Sequence, residues 1–369
     1  MGATLRLASD GVLPALAALA LVAACADSSS RPIASTAAEP ADGPPAVERS
    51  ATGPAASPPE APTAVPPPAG PLPHAAQPYQ AVTSGTLVFQ SDVAGRPKIF
   101  SFDVATAQVR ALTDGTDWRD ESPRWSPDGQ FIAFTSNRAH YGPQPETGTP
   151  DLDVYVMRAD GSQVRRITSD PGNDHDPSWL PDGQSLVFSS DRASRGDLYR
   201  VRVADGHTDR LTTNFVGRAI MPAVSPDGTK VAFAAQTLRI GEFWNFQVHL
   251  LDLASGRAEP VAASGGACWP SWSRDGRVLY NVQLDREPSA IQRRDLATGA
   301  VSLVHGNPTL WSYYPRISPD GQWVAVSLSP QHHEGENWDL ALISATDPSR
   351  RIPLTTGAGN DRLPDWKPR

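Results

Sequence analysis

The chain has 369 residues, a formal charge of −8 and only two cysteines, Cys25 and Cys268. An acidic chain without a basic run is a poor partner for nucleic acid or for an anionic membrane surface, and two cysteines exclude a disulfide-stapled scaffold. Residues 26–82 are dominated by Pro and Ala and hold almost no large apolar side chain, so they cannot bury enough surface to offset their ordering entropy. That leaves one folded region, 83–369, large enough to bury roughly 75% of its unfolded surface without covalent staples.

In chain order, the first element is the apolar run 11–24, which has signal-peptide length and is too short to span a bilayer. It ends in Val22-Ala23-Ala24-Cys25, a branched aliphatic and two small residues before Cys, which resembles the bacterial lipobox. The resemblance implies that residues 1–24 are a signal peptide and that Cys25, the nucleophile, takes the lipid and becomes the new N-terminus. The acyl chains together exceed the two-signal threshold for stable anchoring. Ala26 in the next position, rather than Asp, implies the outer membrane by resemblance to enterobacterial sorting. The alternative is an ordinary cleaved leader with an incidental Cys. With Cys25 consumed, Cys268 is left without a partner. Beside Trp269 at a strand start, it is expected to be a buried, inert thiol.

Residues 25–82 read as the lipidated Cys and a tether, with Pro44-Pro45, Pro58-Pro59 and Pro66-Pro67-Pro68. At the rise of polyproline II such a segment reaches on the order of 150 Å and acts as a semi-rigid spacer.

After the tether a repeat sets the fold. Ser126-Pro127-Asp128-Gly129 returns as Leu180-Pro181-Asp182-Gly183, Ser225-Pro226-Asp227-Gly228, Ser273-Arg274-Asp275-Gly276 and Ser318-Pro319-Asp320-Gly321, with the Asp positions 54, 45, 48 and 45 residues apart. Pro at i+1 with Asp and Gly after it suits a type I turn, and Arg274 is tolerated because i+1 accepts most residues. Each copy follows Pro-x-(Trp or aliphatic) and precedes a β run such as Phe131-Ile132-Ala133-Phe134. A third strand, an Asp-Gly or Ser-Gly turn and a short fourth strand complete each period, which describes a propeller blade. The first copy, from Gly85, lacks its opening strand, and Pro364-Asp365-Trp366 at the C-terminus is an opening strand without successor. The expected fold is therefore all-β: a six-bladed β-propeller closed by a C-terminal strand and preceded by a disordered tether.

These motifs resemble TolB-like, or WD40-like PD40, repeats over about residues 85–369. Asn173-Asp174-His175-Asp176-Pro177-Ser178-Trp179 and Ser189-Ser190-Asp191-Arg192 carry the likeness, while the Gly-His and Trp-Asp signatures of WD40 repeats are absent. In that family TolB is periplasmic, carries an α/β domain before its propeller and docks a peptidoglycan-associated lipoprotein on the propeller. Here the tether stands in place of the α/β domain, which puts a Tol–Pal role in doubt.

Candidate chemistry is sparse. A prolyl-peptidase-like enzyme would need a hydrolase domain and a Gly-x-Ser-x-Gly elbow, and the chain stops after the closing strand. A metal-dependent polyuronide lyase would need clustered His; His332-His333 with Glu334 and Glu336 is the nearest pattern, against a solvated polar loop. Three residues before the blade-opening Pro stands Asp120, Asp174 or Asp361 in three consecutive blades, and Ala219, Ala267 or Ser312 in the others. Each Asp caps a local turn, or the three share Ca²⁺ or a cationic partner group at the channel mouth. The loops at the same end, 139–150, 236–245 and 330–337 with the inter-blade loops, hold Trp118, Tyr141, Phe243, Trp244, Trp311 and Tyr313, expected as a binding face. The expected function is that of a monomeric, non-catalytic envelope lipoprotein that binds a protein or peptidoglycan-associated partner. A glycan-processing enzyme is the alternative.

Overall fold

The computed structural model describes residues 74–75, 84–141, 151–193, 196–237, 245–261, 266–331, 336–357 and 359–369. Six four-stranded antiparallel sheets follow one another round a ring. Blade 2 is typical: Asp120–Trp125 lies innermost, followed outward by Phe131–Ser136, Asp153–Arg158 and Arg165–Arg166. Blades 3 to 6 open with Asp174–Trp179, Arg218–Val224, Ala267–Trp272 and Trp311–Ile317. Blade 1 takes its innermost strand from the chain's end: Arg362–Trp366 pairs with Thr86–Ser91, Leu87 facing Trp366 and Gln90 facing Arg362. Closure is thus as the sequence predicts.

The tetrapeptide turns close as expected. Gly129 N–H donates to the Ser126 carbonyl at 2.9 Å, and Asp128 accepts from Gln130 N–H at 3.0 Å. Gly129 has φ 65°, and its counterparts Gly183, Gly228, Gly276 and Gly321 lie between 65° and 73°, a region that side-chain-bearing residues disfavour. A second repeated contact follows the fourth strands, at Leu112-Thr113, Ile167-Thr168, Leu211-Thr212 and Leu354-Thr355. The hydroxyls of Thr113, Thr168, Thr212 and Thr355 accept the N–H of Ile99, Val154, Leu198 and Leu340 on the third strands, at 2.9–3.0 Å.

A feature not expected from the motif is a bulge in every inner strand. Ser122, Asp176, Met221, Trp269, Tyr314 and Leu363 have φ between 50° and 59°, and each precedes the blade-opening Pro. In blade 2, Glu121 pairs with Thr135 and Arg124 with Ala133, so Ser122 and Pro123 together oppose Phe134. Proline carries no N–H to donate, so the bulge is where a strand can hold it.

The Trp of Pro-x-Trp seals neighbouring blades. Trp179 Nε1 donates to the Arg124 carbonyl at 3.1 Å, Trp272 Nε1 to Ala223 at 2.8 Å and Trp366 Nε1 to Arg316 at 3.1 Å. In each case the acceptor is the "x" residue of the preceding blade.

Two expectations are corrected here. His74–Ala75, within the segment read as tether, forms a short antiparallel pair with Thr355–Thr356. Cys268 is fully buried but disulfide-bonded rather than a free thiol, and its partner lies outside the described residues.

Candidate functional site

The bulges divide the axis in two. Toward the end where the inner strands begin, Met221, Trp269, Tyr314 and Leu363 pack with Tyr313 and Trp338 in one buried cluster. Trp269 meets Tyr314 edge-on at 4.7 Å between ring centres. Ser122 and Asp176 complete this layer: Ser122 Oγ donates to Asp176 at 3.0 Å, and His175 Nδ1 lies 2.9 Å from the other oxygen. Burial works against a charged His175, but the bond to Asp176 prevails and raises its pKa.

Toward the other end, where the inner strands finish in the Ser-Pro-Asp-Gly turns, a cavity of about 540 Å³ opens on the axis. All six blades line it. Its walls are Trp125, Trp179, Trp272 and Trp366, its rim includes the exposed prolines Pro127 and Pro181, and its floor is the ring of "x" residues. That ring reads Asp365, Arg124, Ser178, Ala223, Ser271 and Arg316 in blades 1 to 6. Asp365 accepts the Trp125 N–H at 2.8 Å and sits 3.4 Å from Arg316 Nε. Arg124 donates to the Pro123 carbonyl at 2.7 Å.

The site therefore opens on the face opposite the one the sequence suggested. Asp120, Asp174 and Asp361 do lie at the start of three inner strands, as their offset implies, but their carboxylates are 0%, 0% and 3% exposed. Asp120 is held by Arg138 at 2.7 Å, with Lys98 at 3.6 Å, and Asp174 by Arg192 at 2.6 Å. Each ion pair closes within its own neighbourhood rather than across the channel. Among the described residues Asp361 has no such arginine; burial first, and the nearby Asp92 charge, push it up to about 6. Burial and the Asp361 charge push Asp339 likewise to about 6. Among the described residues no group of three or more His, Cys, Asp or Glu is arranged to hold a metal.

A carboxyl raised above its unfolded value near 3.9 favours the fold most below pH ~4, and that contribution is lost as pH rises through about 6. Asp361→Asn is therefore expected to raise the melting temperature relative to the parent at pH 8 and to give little advantage at pH 4. Equal shifts at both values would show that Asp361 carries no such penalty.

Among the proposed loop aromatics, Tyr313 is 0% exposed and belongs to the core, not to a surface. Trp118 is half-buried with Lys98 and Arg138 against its ring, and Trp311 is half-buried. Tyr141 is 37% exposed. Phe243, Trp244, Cys25 and the His332-His333 pair lie outside the described residues.

The fold and its axial funnel define a six-bladed propeller whose cavity is built by every blade. The TolB beta propeller domain model matches residues 145–266. A TolB homolog of Chlorobium luteolum is 33% identical over 183 residues, covering 48% of this chain and 36% of that protein. An uncharacterized protein of Agrobacterium fabrum is 28% identical over 166 residues, 43% of this chain and 53% of its own length. The TolB crystal structure from Acinetobacter baumannii superimposes with a TM-score of 0.62 at 22% identity, covering 77% of this chain and 67% of that one. The described residues form a six-bladed propeller, and the stretch 145–266 is similar to the TolB beta propeller domain. The chain spans about half or less of the length of these curated relatives.

Proposed function

We propose that this chain is a cell-envelope binding protein that holds a protein partner in its axial funnel. The observation that carries this reading is a cavity of about 540 Å³ lined by all six blades, with tryptophan walls and a charged floor. Aromatic and arginine side chains gathered in one concave site are what a binding hot spot uses. Relatives named TolB support an envelope setting.

A photo-crosslinking residue at Pro181, on the rim, tests the reading in cells. That turn position accepts non-proline residues, since Arg274 occupies its counterpart in blade 5. A discrete adduct from position 181, absent from the exposed outer-strand position Leu303, is the expected result. Identical adduct patterns from both positions, or none from the rim, would overturn it.

The same proposal has the propeller on a lipid anchor at Cys25, at the outer membrane, with the residues between Cys25 and the His74–Ala75 strand as spacer. The chain has only two cysteines, so a lipid thioether at Cys25 and the Cys268 disulfide exclude one another, and lipidation requires the disulfide to be absent. Cys25→Ser is expected to move the protein from the membrane to the soluble fraction, because the acyl chains alone anchor it. Sedimentation unchanged by the substitution, or a parent protein that shows no titratable thiol after denaturation, would sink the lipid anchor.

A further inference from the structure

The floor of the funnel is the least regular part of the repeat. Three of its six positions carry the small residues Ser178, Ala223 and Ser271, and three consecutive blades carry Arg316, Asp365 and Arg124. The lining as a whole holds four arginine side chains, Arg124, Arg274, Arg316 and Arg369, against the single acidic side chain Asp365, in a chain of net charge −8. The turn aspartates Asp128, Asp227, Asp275 and Asp320 face their own Ser hydroxyls, as Asp227 does with Ser225 at 2.6 Å, and Asp320 also meets Arg369 at 3.6 Å.

The two floor arginines are incompletely matched. Arg316 spends Nε on Asp365 and Nη1 on the Pro270 and Pro315 carbonyls at 3.4 and 3.3 Å. Arg124 is 7% exposed, and among the described residues its side chain donates to the Pro123 carbonyl alone. Arg124 lines the cavity. Asp176, the next acid along the axis, is occupied by Ser122 and His175. Burial and the facing Arg124 charge work against protonation of Arg316, lowering its pKa to about 9. Among the described residues Asp365 is the one carboxylate at ion-pair distance from this cluster, while the Asp176 charge reaches both guanidinium groups from further off, so the floor keeps an imbalance of close partners. A second anion in the funnel would relieve that imbalance, and in a partly desolvated site a charge-assisted hydrogen bond counts for more than on the surface.

We infer that the funnel floor is a carboxylate-binding subsite, in which Arg124 and Arg316 receive a carboxylate of the partner polypeptide while the tryptophan walls pack against the residues around it. This inference rests on the funnel being the partner site. Its sequence mark is the "x" of Pro-x-(Trp or aliphatic), Arg in blades 2 and 6 where blades 3 to 5 have small residues.

The carboxylate belongs to an acidic side chain or to a chain terminus, and three dye-labelled, N-acetylated peptides separate these. One has internal Glu and an amidated end, one has Gln and a free C-terminus, and one has Gln and an amidated end. Fluorescence anisotropy with the full chain is expected to show binding of at least one carboxylate peptide, about tenfold tighter than the neutral peptide, and weakening with salt. Arg124→Gln/Arg316→Gln should lose about that tenfold without changing binding of the neutral peptide. Arg124→Lys/Arg316→Lys should keep part of it. Asp365→Asn can still accept the Trp125 N–H but removes the competing charge, so it should bind the carboxylate peptide more tightly than the parent. A merely structural role for the cluster would not produce that gain. Equal affinity for all three peptides, no binding of either carboxylate peptide, or an unchanged folded double-Gln variant would overturn the inference. A double-Gln variant that still gives the rim adduct at position 181, with peptide binding unaltered, would remove the carboxylate subsite and leave the funnel as partner site.

Discussion

Deleting residues 363–369 is expected to abolish cooperative folding of the propeller. The segment carries most of the innermost strand of blade 1, and with it Leu363, 2% exposed, and Trp366, 6% exposed. Leu363 packs in the cluster beside the axis, and Trp366 in the core shared by blades 1 and 6. Emptying a buried Leu or Trp site costs about 2–5 and 3–5 kcal/mol respectively. Together these losses rival a whole domain's net stability of about 5–15 kcal/mol. The deletion also bares the Thr86–Ser91 edge and removes the Trp366 bond to blade 6. Thermal melting by circular dichroism checks it: a truncated chain that melts within a few degrees of the parent would show that the ring does not depend on its closing strand.

The second large effect lies in the Asp–Arg pairs. Arg192→Ala is expected to destabilise the fold by about 3–5 kcal/mol, because it leaves Asp174 fully buried without its 2.6 Å cationic partner. The same substitution also takes the guanidinium from the faces of Phe188 and Tyr199. Adding Asp174→Asn should recover much of the loss, since the buried charge goes with its partner. Urea denaturation of the two single variants and the double variant gives the coupling. A loss below about 1 kcal/mol for Arg192→Ala, or strictly additive variants, would show that the pair is not what keeps Asp174 in the interior.

These two expectations mark how far the sequence reads on its own. Blade number, turn positions and closure are local and periodic properties. A Pro-Asp-Gly turn imposes the same geometry wherever it occurs, and an unpaired opening strand at one end must find the strands that lack it at the other. The offset of Asp120, Asp174 and Asp361 likewise placed them at one end of the inner strands. A signal for their partners was also present, since Ser136-Asn137-Arg138 and Ser190-Asp191-Arg192 each put an Arg 18 residues after the Asp.

The direction in which side chains point was decided only by the assembled ring. The left-handed residue before each blade-opening Pro shifts the register of its strand, so strand alternation counted from the motif misplaces what lies beyond the bulge. Tyr313, expected in an inter-blade loop, went into the core because the inner strand of blade 6 already begins at Trp311. The "x" residues, which look like spacers in a linear motif, became the floor of the funnel, because six copies of one position converge only when the ring closes. Charge at that floor is therefore a property of the set. Arg124, Asp365 and Arg316 are up to 241 residues apart in the chain and become neighbours through the pairing of the last strand with the first.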